Sequence, residues 1–141
     1  MSKPKVLFLC TGNSARSQMA EAFLRELGGD RYEALSAGLD PKGIHPYTVK
    51  VMEEKGVSVE NQHSKDLKQY LGREHIGYLI TVCNHAEEQC PYAFVRNAGE
   101  HLHWNFEDPA AAEGSEEERL ETFRDVRDRI ESRIRQWLLE T

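Results

Sequence analysis

The sequence predicts an α/β fold in which helices cover both faces of a parallel sheet. Two short runs, Lys5–Cys10 and 77–83, are apolar on both pleat faces, as is typical of strands buried between layers of helices. Segments with helical spacing of apolar residues alternate with the strands, which indicates parallel β-α-β units. The chain has 141 residues, 39% of them apolar, enough for one core. We therefore predict a single domain over residues 1–141, with four strands in the order 2-1-3-4.

The first half of the chain alternates strands and helices. The strand at Lys5–Cys10 precedes a helix that is expected to start near Ser17 and to end at the glycine pair 28–29. A second strand is predicted at 32–36. A second helix is predicted from 46 to 56, because proline suits its first turn and glycine its end. Ser64 is expected to cap a short helix that reaches residue 70.

The second half is predicted to hold two strands and the longest helix. The strand at 77–83 is followed by 84–99, which has no clear period and is predicted to be a long, functional loop. A fourth strand is expected at 101–106. The final helix has a capping box, Ser115 with Glu118, and an apolar stripe. Its acidic start suits the positive end of the helix dipole, so we interpret these charges as capping and surface rather than as a binding site.

Charge and cysteine content exclude several classes of protein. The net charge is −6, so the chain lacks the basic character of nucleic-acid-binding proteins. The apolar run near the N-terminus is too short for a signal peptide or a membrane span, and we expect a cytoplasmic protein. In a reducing compartment, three cysteines are more often free, catalytic or redox-active than paired in structural disulfides.

An anion-binding loop is predicted between the first strand and the first helix. Small or polar residues follow Cys10, so the backbone can point its N–H groups at one centre, with the helix N-terminus behind them. Arg16 adds a planar group that can hold two oxygens. The same donors can stabilise a thiolate at Cys10, and Ser17 could donate a hydrogen bond to that sulfur. The predicted anion-binding residues are Thr11, Gly12, Asn13, Ser14, Ala15 and Arg16.

Two further reactive groups are predicted at the same edge of the sheet. The first and third strands are neighbours in the predicted order, and neighbouring strands lie about 4.8 Å apart. A disulfide joins Cα atoms about 4.4–6.8 Å apart, so Cys10 and Cys83 are expected within bonding reach. Asp108 follows the fourth strand and could protonate a leaving oxygen. An Asp-Pro pair such as 108–109 is alternatively a simple turn.

These motifs resemble those of a known family. CTGNSARS, with an Asp-Pro after the last strand and a C-terminal helix, is similar to the low-molecular-weight protein tyrosine phosphatases. CTGNSARSQMAE together with VCNHAEEQCP resembles the thioredoxin-coupled arsenate reductases built on that fold. The resemblance covers essentially the whole chain and implies a four-stranded parallel sheet flanked by helices. It also implies reduction of arsenate to arsenite.

The resemblance implies a relay of three cysteines. Cys10 would attack arsenate held by the loop and Arg16, with Asp108 as the general acid. Cys83 would attack the Cys10 adduct and release arsenite, and Cys90 would then take over the bond to Cys83. Thioredoxin would reduce the resulting disulfide. Phosphate and sulfate are expected to bind as analogues of arsenate, and the protein is expected to be a monomer.

Some relatives also hold a potassium ion near the anion loop. The matching positions all carry hard oxygen atoms: Asn13, Glu21, Ser36 and Asp66. Asn13 and Ser36 are equally suited to shaping the loop by hydrogen bonds. No other cofactor is expected.

Two alternative functions stay open. A plain phosphomonoesterase would use Cys10, Arg16 and Asp108 and would need neither of the other cysteines. The phosphatases resembled here have tyrosines just after the Asp-Pro, whereas this chain has alanines at 110–112. A metal or redox sensor would use Cys83, His85 and Cys90, but six residues between the cysteines exceed the usual zinc spacing. The other histidines have no pattern of partners and are expected at the surface or in loops.

Overall fold

The computed structural model describes residues 3–70, 75–90, 96 and 98–141. Within them, four parallel strands form one sheet in the order β2-β1-β3-β4, which confirms the predicted order. The strands are β1 (Lys5–Cys10), β2 (Glu33–Gly38), β3 (Tyr78–Thr81) and β4 (Glu100–His103).

Four helices are described around this sheet: α1 (Arg16–Gly28), α2 (Pro46–Glu53), α3 (Asn84–Gln89) and α4 (Glu116–Glu140). Helices α1 and α2 pack against α4, and α3 packs against β1 and β3. Short 3₁₀ helices lie at Leu67–Gln69 and Pro109–Ala111. None of the described helices is long and apolar enough to cross a membrane.

The central strand β1 is covered on both faces. Consecutive residues of a strand point to opposite faces, and four in a row are fully buried: Val6, Leu7, Phe8 and Leu9. Such burial requires helices on both sides of the sheet. Because β1 lies between β2 and β3, its carboxyl end is in the middle of the edge at which all four strands end.

The C-terminal helix was well predicted from its sequence. Ser115 Oγ accepts a hydrogen bond from the N–H of Glu118, and the Glu118 carboxylate accepts one from the N–H of Ser115. The apolar stripe of α4 is buried: Leu120, Phe123, Val126, Ile130, Ile134 and Trp137. Helix burial of this kind contributes most of the stability that holds α4 on the domain.

The structure corrects the region predicted as a loop at 84–99. Helix α3 starts directly after Cys83, whose sulfur accepts a hydrogen bond from the N–H of Ala86 at 3.4 Å. The helix gave no periodic signal because Ala86 is its single buried residue. Strand β3 ends at Thr81 rather than at residue 83, since Cys83 already caps α3. Residues 91–95 and 97 of the predicted loop lie outside the described residues.

Several other boundaries differ from the sequence expectation. Strand β2 is Glu33–Gly38 rather than 32–36, and α2 ends at Glu53 rather than at residue 56. The short helix predicted at 64–70 is the 3₁₀ turn Leu67–Gln69, and its cap is Asp66, which accepts a hydrogen bond from the N–H of Lys68 at 2.8 Å. Strand β4 is Glu100–His103 rather than 101–106. The regular pairing with β3 ends where Thr81 is in register with His103, and beyond it the N–H of Phe106 still donates to the carbonyl of Val82 at 3.2 Å.

Candidate active site

The sulfur of Cys10 lies at the end of β1, beneath the loop that leads into α1. Cys10 is 2% exposed. Its Sγ accepts a hydrogen bond from the N–H of Asn13 at 3.2 Å and lies 2.8 Å from Ser17 Oγ. Asn13 Nδ2 donates to Ser17 Oγ at 2.8 Å, which leaves the serine hydroxyl proton available for the sulfur. Two donors therefore converge on Cys10 and can stabilise its thiolate.

The loop turns its carbonyl groups away from the pocket. The carbonyls of residues 10, 11, 12 and 14 accept hydrogen bonds from the N–H groups of Leu39, Asp40, Lys42 and His45. The Asn13 carbonyl accepts a hydrogen bond from Gln18 Nε2 at 3.1 Å. The carbonyl groups of residues 10–14 are all hydrogen-bonded on the side away from the pocket. The side of the loop that faces the pocket is therefore left to N–H groups and to the start of α1. This is the arrangement that binds a tetrahedral anion.

Asn13 shapes the loop from below. It is fully buried and has a positive φ of 47°, which asparagine tolerates better than most residues. Its side chain donates to Ser36 Oγ at 3.0 Å and accepts from the N–H of Lys65 at 2.8 Å. Asn13 was predicted among the anion-binding residues, but its N–H points at the Cys10 sulfur and its side chain joins the loop to its neighbours.

Gly38 is a second determinant of the loop that the sequence did not reveal. It pairs with Cys10 across β1 and β2. A Cβ at this position would lie 2.8 Å from the carbonyl oxygen of Thr11 and 2.9 Å from the backbone nitrogen of Asn13. Only glycine allows the anion loop to approach β2 this closely.

Arg16 and Asp108 face each other across the pocket. The Arg16 side chain is 12% exposed, and its Nη1 donates to the carbonyl of Phe106 at 3.2 Å. Its Nη2 lies 3.9 Å from Asp108 Oδ2. Asp108 Oδ1 accepts a hydrogen bond from the N–H of Ala110 at 3.0 Å. The Asp-Pro pair therefore does form a turn, and this turn leaves the second carboxylate oxygen directed towards the arginine.

These groups line a small pocket of about 150 Å³. Lys42 and Ala110 also line it, together with Cys10, Thr11, Gly12, Ser14, Ala15, Arg16 and Asp108. Lys42 was missed by sequence reasoning because it lies in the connection after β2, without any motif of its own. The methyl side chain of Ala110, the first of the three alanines at 110–112, forms one wall of the pocket.

Cys83 lies next to the anion loop. The ladder between β1 and β3 continues past Thr81, since the N–H of Val82 donates to the carbonyl of Leu9 at 2.9 Å. Thr11 Oγ1 then lies 3.6 Å from Cys83 Sγ. Cys83 is 4% exposed, and all three cysteines are free thiols. Cys10 and Cys83 are therefore at the same edge of the sheet.

Cys90 follows α3 and is partly exposed. Burial, with a smaller contribution from the Glu87 carboxylate, raises the pKa of the Cys90 thiol to about 11. In this conformation Cys90 is therefore a thiol at neutral pH and a poor nucleophile.

The residues predicted to hold potassium do not fit that ion. Ser36 Oγ donates to Glu21 Oε1, which joins Asn13, Ser36 and Glu21 in one network. The positive charge beside Glu21 comes from the protein itself: Lys65 Nζ lies 3.6 Å from Glu21 Oε1, and both side chains are 6% exposed. Arg25 pairs with the other oxygen of Glu21.

Asp66, the fourth predicted ligand, instead uses a carboxylate oxygen to cap the 3₁₀ turn. Burial lowers the pKa of Lys65, while the charge of Glu21 acts in the opposite direction. In the part of the chain that the structure describes, no group of three or more His, Cys, Asp or Glu side chains is arranged to hold a metal ion.

Residues 5–141 match the family model of the low molecular weight phosphotyrosine protein phosphatases. The chain belongs to this family. An arsenate reductase from Halalkalibacterium halodurans is 44% identical over 135 residues, which cover 96% of this chain and 95% of the relative.

Solved structures show the same likeness. An arsenate reductase in the phosphate binding state superimposes with a TM-score of 0.81 and 29% identity, covering 97% of this chain and 98% of that one. A thioredoxin-dependent arsenate reductase from Corynebacterium glutamicum gives a TM-score of 0.70 at 28% identity, covering 98% of this chain and 61% of that one. The fold and the family expected from the cysteine and Asp-Pro motifs are thus confirmed.

Proposed function

We propose that this member of the family reduces arsenate to arsenite through Cys10, Cys83 and Cys90, and that thioredoxin regenerates it. The observation that carries the proposal is the position of Cys83, whose sulfur lies 3.6 Å from Thr11 Oγ1 in the anion loop. Phosphate ester hydrolysis needs no second thiol at this place. The similarity to arsenate reductases over nearly the whole chain supports the same chemistry.

In the first step, the loop and Arg16 hold the arsenate dianion against Cys10. The inward N–H groups, the start of α1 and the guanidinium supply the positive potential that offsets the overall negative charge of the protein. The Cys10 thiolate attacks arsenic, and a sulfur–arsenic bond forms. Asp108 donates a proton to the departing oxygen, which leaves as water.

In the second step, Cys83 attacks the sulfur of Cys10. A disulfide forms between the two cysteines, and the electron pair of the sulfur–arsenic bond stays on arsenic. Arsenic passes from As(V) to As(III), and arsenite leaves. The two thiols supply both electrons, so one arsenate gives one arsenite, one water and one disulfide.

In the third step, Cys90 attacks Cys83 and frees Cys10. Cys83 and Cys90 cap the two ends of α3 and are seven positions apart. Residues seven apart in a helix are separated by about 10 Å, whereas a disulfide needs Cα atoms about 4.4–6.8 Å apart. Helix α3 must therefore open before the bond can move, and opening removes Cys90 from the surroundings that hold it as a thiol. The Cys83–Cys90 disulfide is then the substrate for thioredoxin.

The test is a coupled assay with thioredoxin, thioredoxin reductase and NADPH. We expect arsenate-dependent NADPH oxidation by the wild type and its loss in Cys83→Ser. Unchanged multiple turnover in Cys83→Ser would exclude the relay. The same protein is assayed with a phosphate monoester, and we propose that this activity is weak because Ala110 offers no aromatic wall for a phenyl ring. Efficient ester hydrolysis without arsenate reduction would instead favour the phosphatase.

A further inference from the structure

Helix α3 has little apolar contact to hold it closed. Of its six residues, Ala86 is the buried one. Its first turn is held by Cys83, which accepts the N–H of Ala86 on its sulfur and the N–H of Glu87 on its carbonyl at 3.1 Å. The remaining attachment of α3 to the sheet among the described residues is polar, and it is centred on Glu87.

Glu87 joins the middle of α3 to two strands. Its Oε2 accepts a hydrogen bond from Thr81 Oγ1 on β3 and lies 2.9 Å from His101 Nε2 on β4. His103 Nδ1, also on β4, lies 3.5 Å from the same oxygen. Burial acts to raise the pKa of Glu87, but the hydrogen bonds from Thr81 and His101 and the charges of the imidazoles outweigh it and lower that pKa. Glu87 is therefore a carboxylate at neutral pH.

A second contact extends this network to the start of the helix. His103 Nε2 is 2.9 Å from Asn84 Oδ1, and His103 Nδ1 is 2.8 Å from Thr81 Oγ1. The side chains of Thr81, Asn84, Glu87, His101 and His103 thus form one group, which we call the α3 latch. It connects the helix that must open to the two strands that stay in place.

We propose that the α3 latch sets the rate at which the disulfide passes from Cys10–Cys83 to Cys83–Cys90, with Glu87 as its central positioning residue. This proposal rests on the relay proposed above and assigns control of its last internal step. In that step the Cys90 thiol loses its proton to solvent, and its sulfur bonds to Cys83. The Cys10–Cys83 bond breaks, and its electron pair leaves on Cys10 as a thiolate. No oxidant or reductant is consumed.

Glu87 slows this step in two separable ways. Its hydrogen bonds hold α3 closed, which keeps Cys83 and Cys90 too far apart to bond. Its negative charge also disfavours the thiolate form of Cys90 at the end of the same helix. A variant that breaks the latch but keeps the Glu87 charge distinguishes the two effects, and His101→Leu is such a variant because leucine has no hydrogen-bond donor for Glu87 Oε2.

The experiment is a single turnover with arsenate and without thioredoxin. The reaction is quenched in acid at successive times, free thiols are alkylated, and both disulfides are measured by peptide mass spectrometry while arsenite is measured separately. The variants are Glu87→Gln and His101→Leu. Glu88→Gln is the matched control, because Glu88 is exposed, adjacent to Glu87 and loses the same charge.

We expect Glu87→Gln to speed the exchange about tenfold, the factor that corresponds to one lost charge-assisted hydrogen bond. His101→Leu is expected to speed it as well, although it keeps the carboxylate near Cys90. Both variants should release arsenite at the wild-type rate. A general loss of structure would instead lower that rate. Glu88→Gln should behave as the wild type in both steps.

Exchange at the Glu88→Gln rate in both latch variants would overturn the proposal, while the relay itself would stand. A wild type that forms no Cys10–Cys83 disulfide would overturn the relay and the latch together. Hydrogen exchange of the reduced proteins gives a second measurement that needs no turnover. The amides of 84–89 should exchange faster in Glu87→Gln than in Glu88→Gln, with α4 unchanged, and equal rates at 84–89 would also refute the latch.

Discussion

Replacing Lys65 by methionine tests the interpretation that a lysine supplies the cation beside Glu21. Methionine keeps the length of the side chain and removes the charge. Lys65 Nζ lies 3.6 Å from Glu21 Oε1, and both side chains are almost fully buried. At this distance and an effective dielectric constant of about 20, the attraction is about 4–5 kcal/mol.

The net loss is smaller than this attraction because Arg25 still pairs with Glu21. Removing one partner of a buried ion pair typically costs about 3–5 kcal/mol, and we expect about 2–4 kcal/mol in the free energy of unfolding here. For a domain of this length, that loss lowers Tm on the order of 10 °C. The assay is urea and thermal unfolding followed by circular dichroism.

Lys68→Met is the matched control, since Lys68 is exposed and its change should stay within about 0.5 kcal/mol. A double-mutant cycle with Glu21→Gln isolates the pair, and we expect a coupling of about 1–3 kcal/mol. Exchanging sodium for potassium should leave the wild-type Tm unchanged. A Lys65→Met protein as stable as Lys68→Met, or a Tm of the wild type that rises in potassium, would refute the reasoning.

Three further changes test the active site. Gly38→Ala should raise the KM for arsenate and lower Tm, because the new methyl group would meet the backbone of the anion loop at 2.8 Å. Ser17→Ala removes a hydrogen bond to the sulfur of Cys10 and should slow arsenite release in a single turnover about 10–100-fold, as expected for a bond to a charged group. In a Cys10→Ser/Cys83→Ser protein, alkylation of Cys90 by iodoacetamide should rise about tenfold per pH unit from 7 to 10, because its pKa of about 11 leaves little thiolate below that value.

Each of these expectations has its own control. Gly77→Ala introduces the same methyl group, but its nearest neighbour is the carbonyl oxygen of Lys5 at 3.4 Å. Equal effects of the two substitutions would contradict a steric role of Gly38 in the anion loop. Wild-type arsenite release from Ser17→Ala would show that the serine does not act on the sulfur. For Cys90, an alkylation rate that levels off near pH 9 would contradict the raised pKa, and denaturation in urea should restore the behaviour of an ordinary thiol.

The loop between β1 and α1 could be predicted because its signals are local. The change from a doubly apolar strand to small residues and then to helical spacing lies within one segment, and Cys10, Arg16 and Ser17 fall within it. A strand, a tight loop of small residues and a helix start in this order place the backbone N–H groups of the loop around one centre. The capping box of α4 is local in the same way.

The predicted sheet order also indicated which distant residues lie together at the carboxyl edge of the sheet. Parallel strands that alternate with helices end at the same side, so Cys83 and Asp108 could be expected near Cys10 without any knowledge of side chains. The rule did not reveal that α3 begins directly at Cys83, since a short helix with a single buried residue has no periodic pattern.

The sequence by itself determined the fold, the loop after β1 and the residues of the proposed site, because each depends on patterns along a few neighbouring positions. Only the tertiary structure decided which distant residues meet. Lys65 beside Glu21, Gly38 beneath the loop and Glu87 between His101 and His103 are contacts between distant segments. Their strength depends on burial and on distances of a few ångströms, which arise when helices and strands pack and have no counterpart in the order of residues.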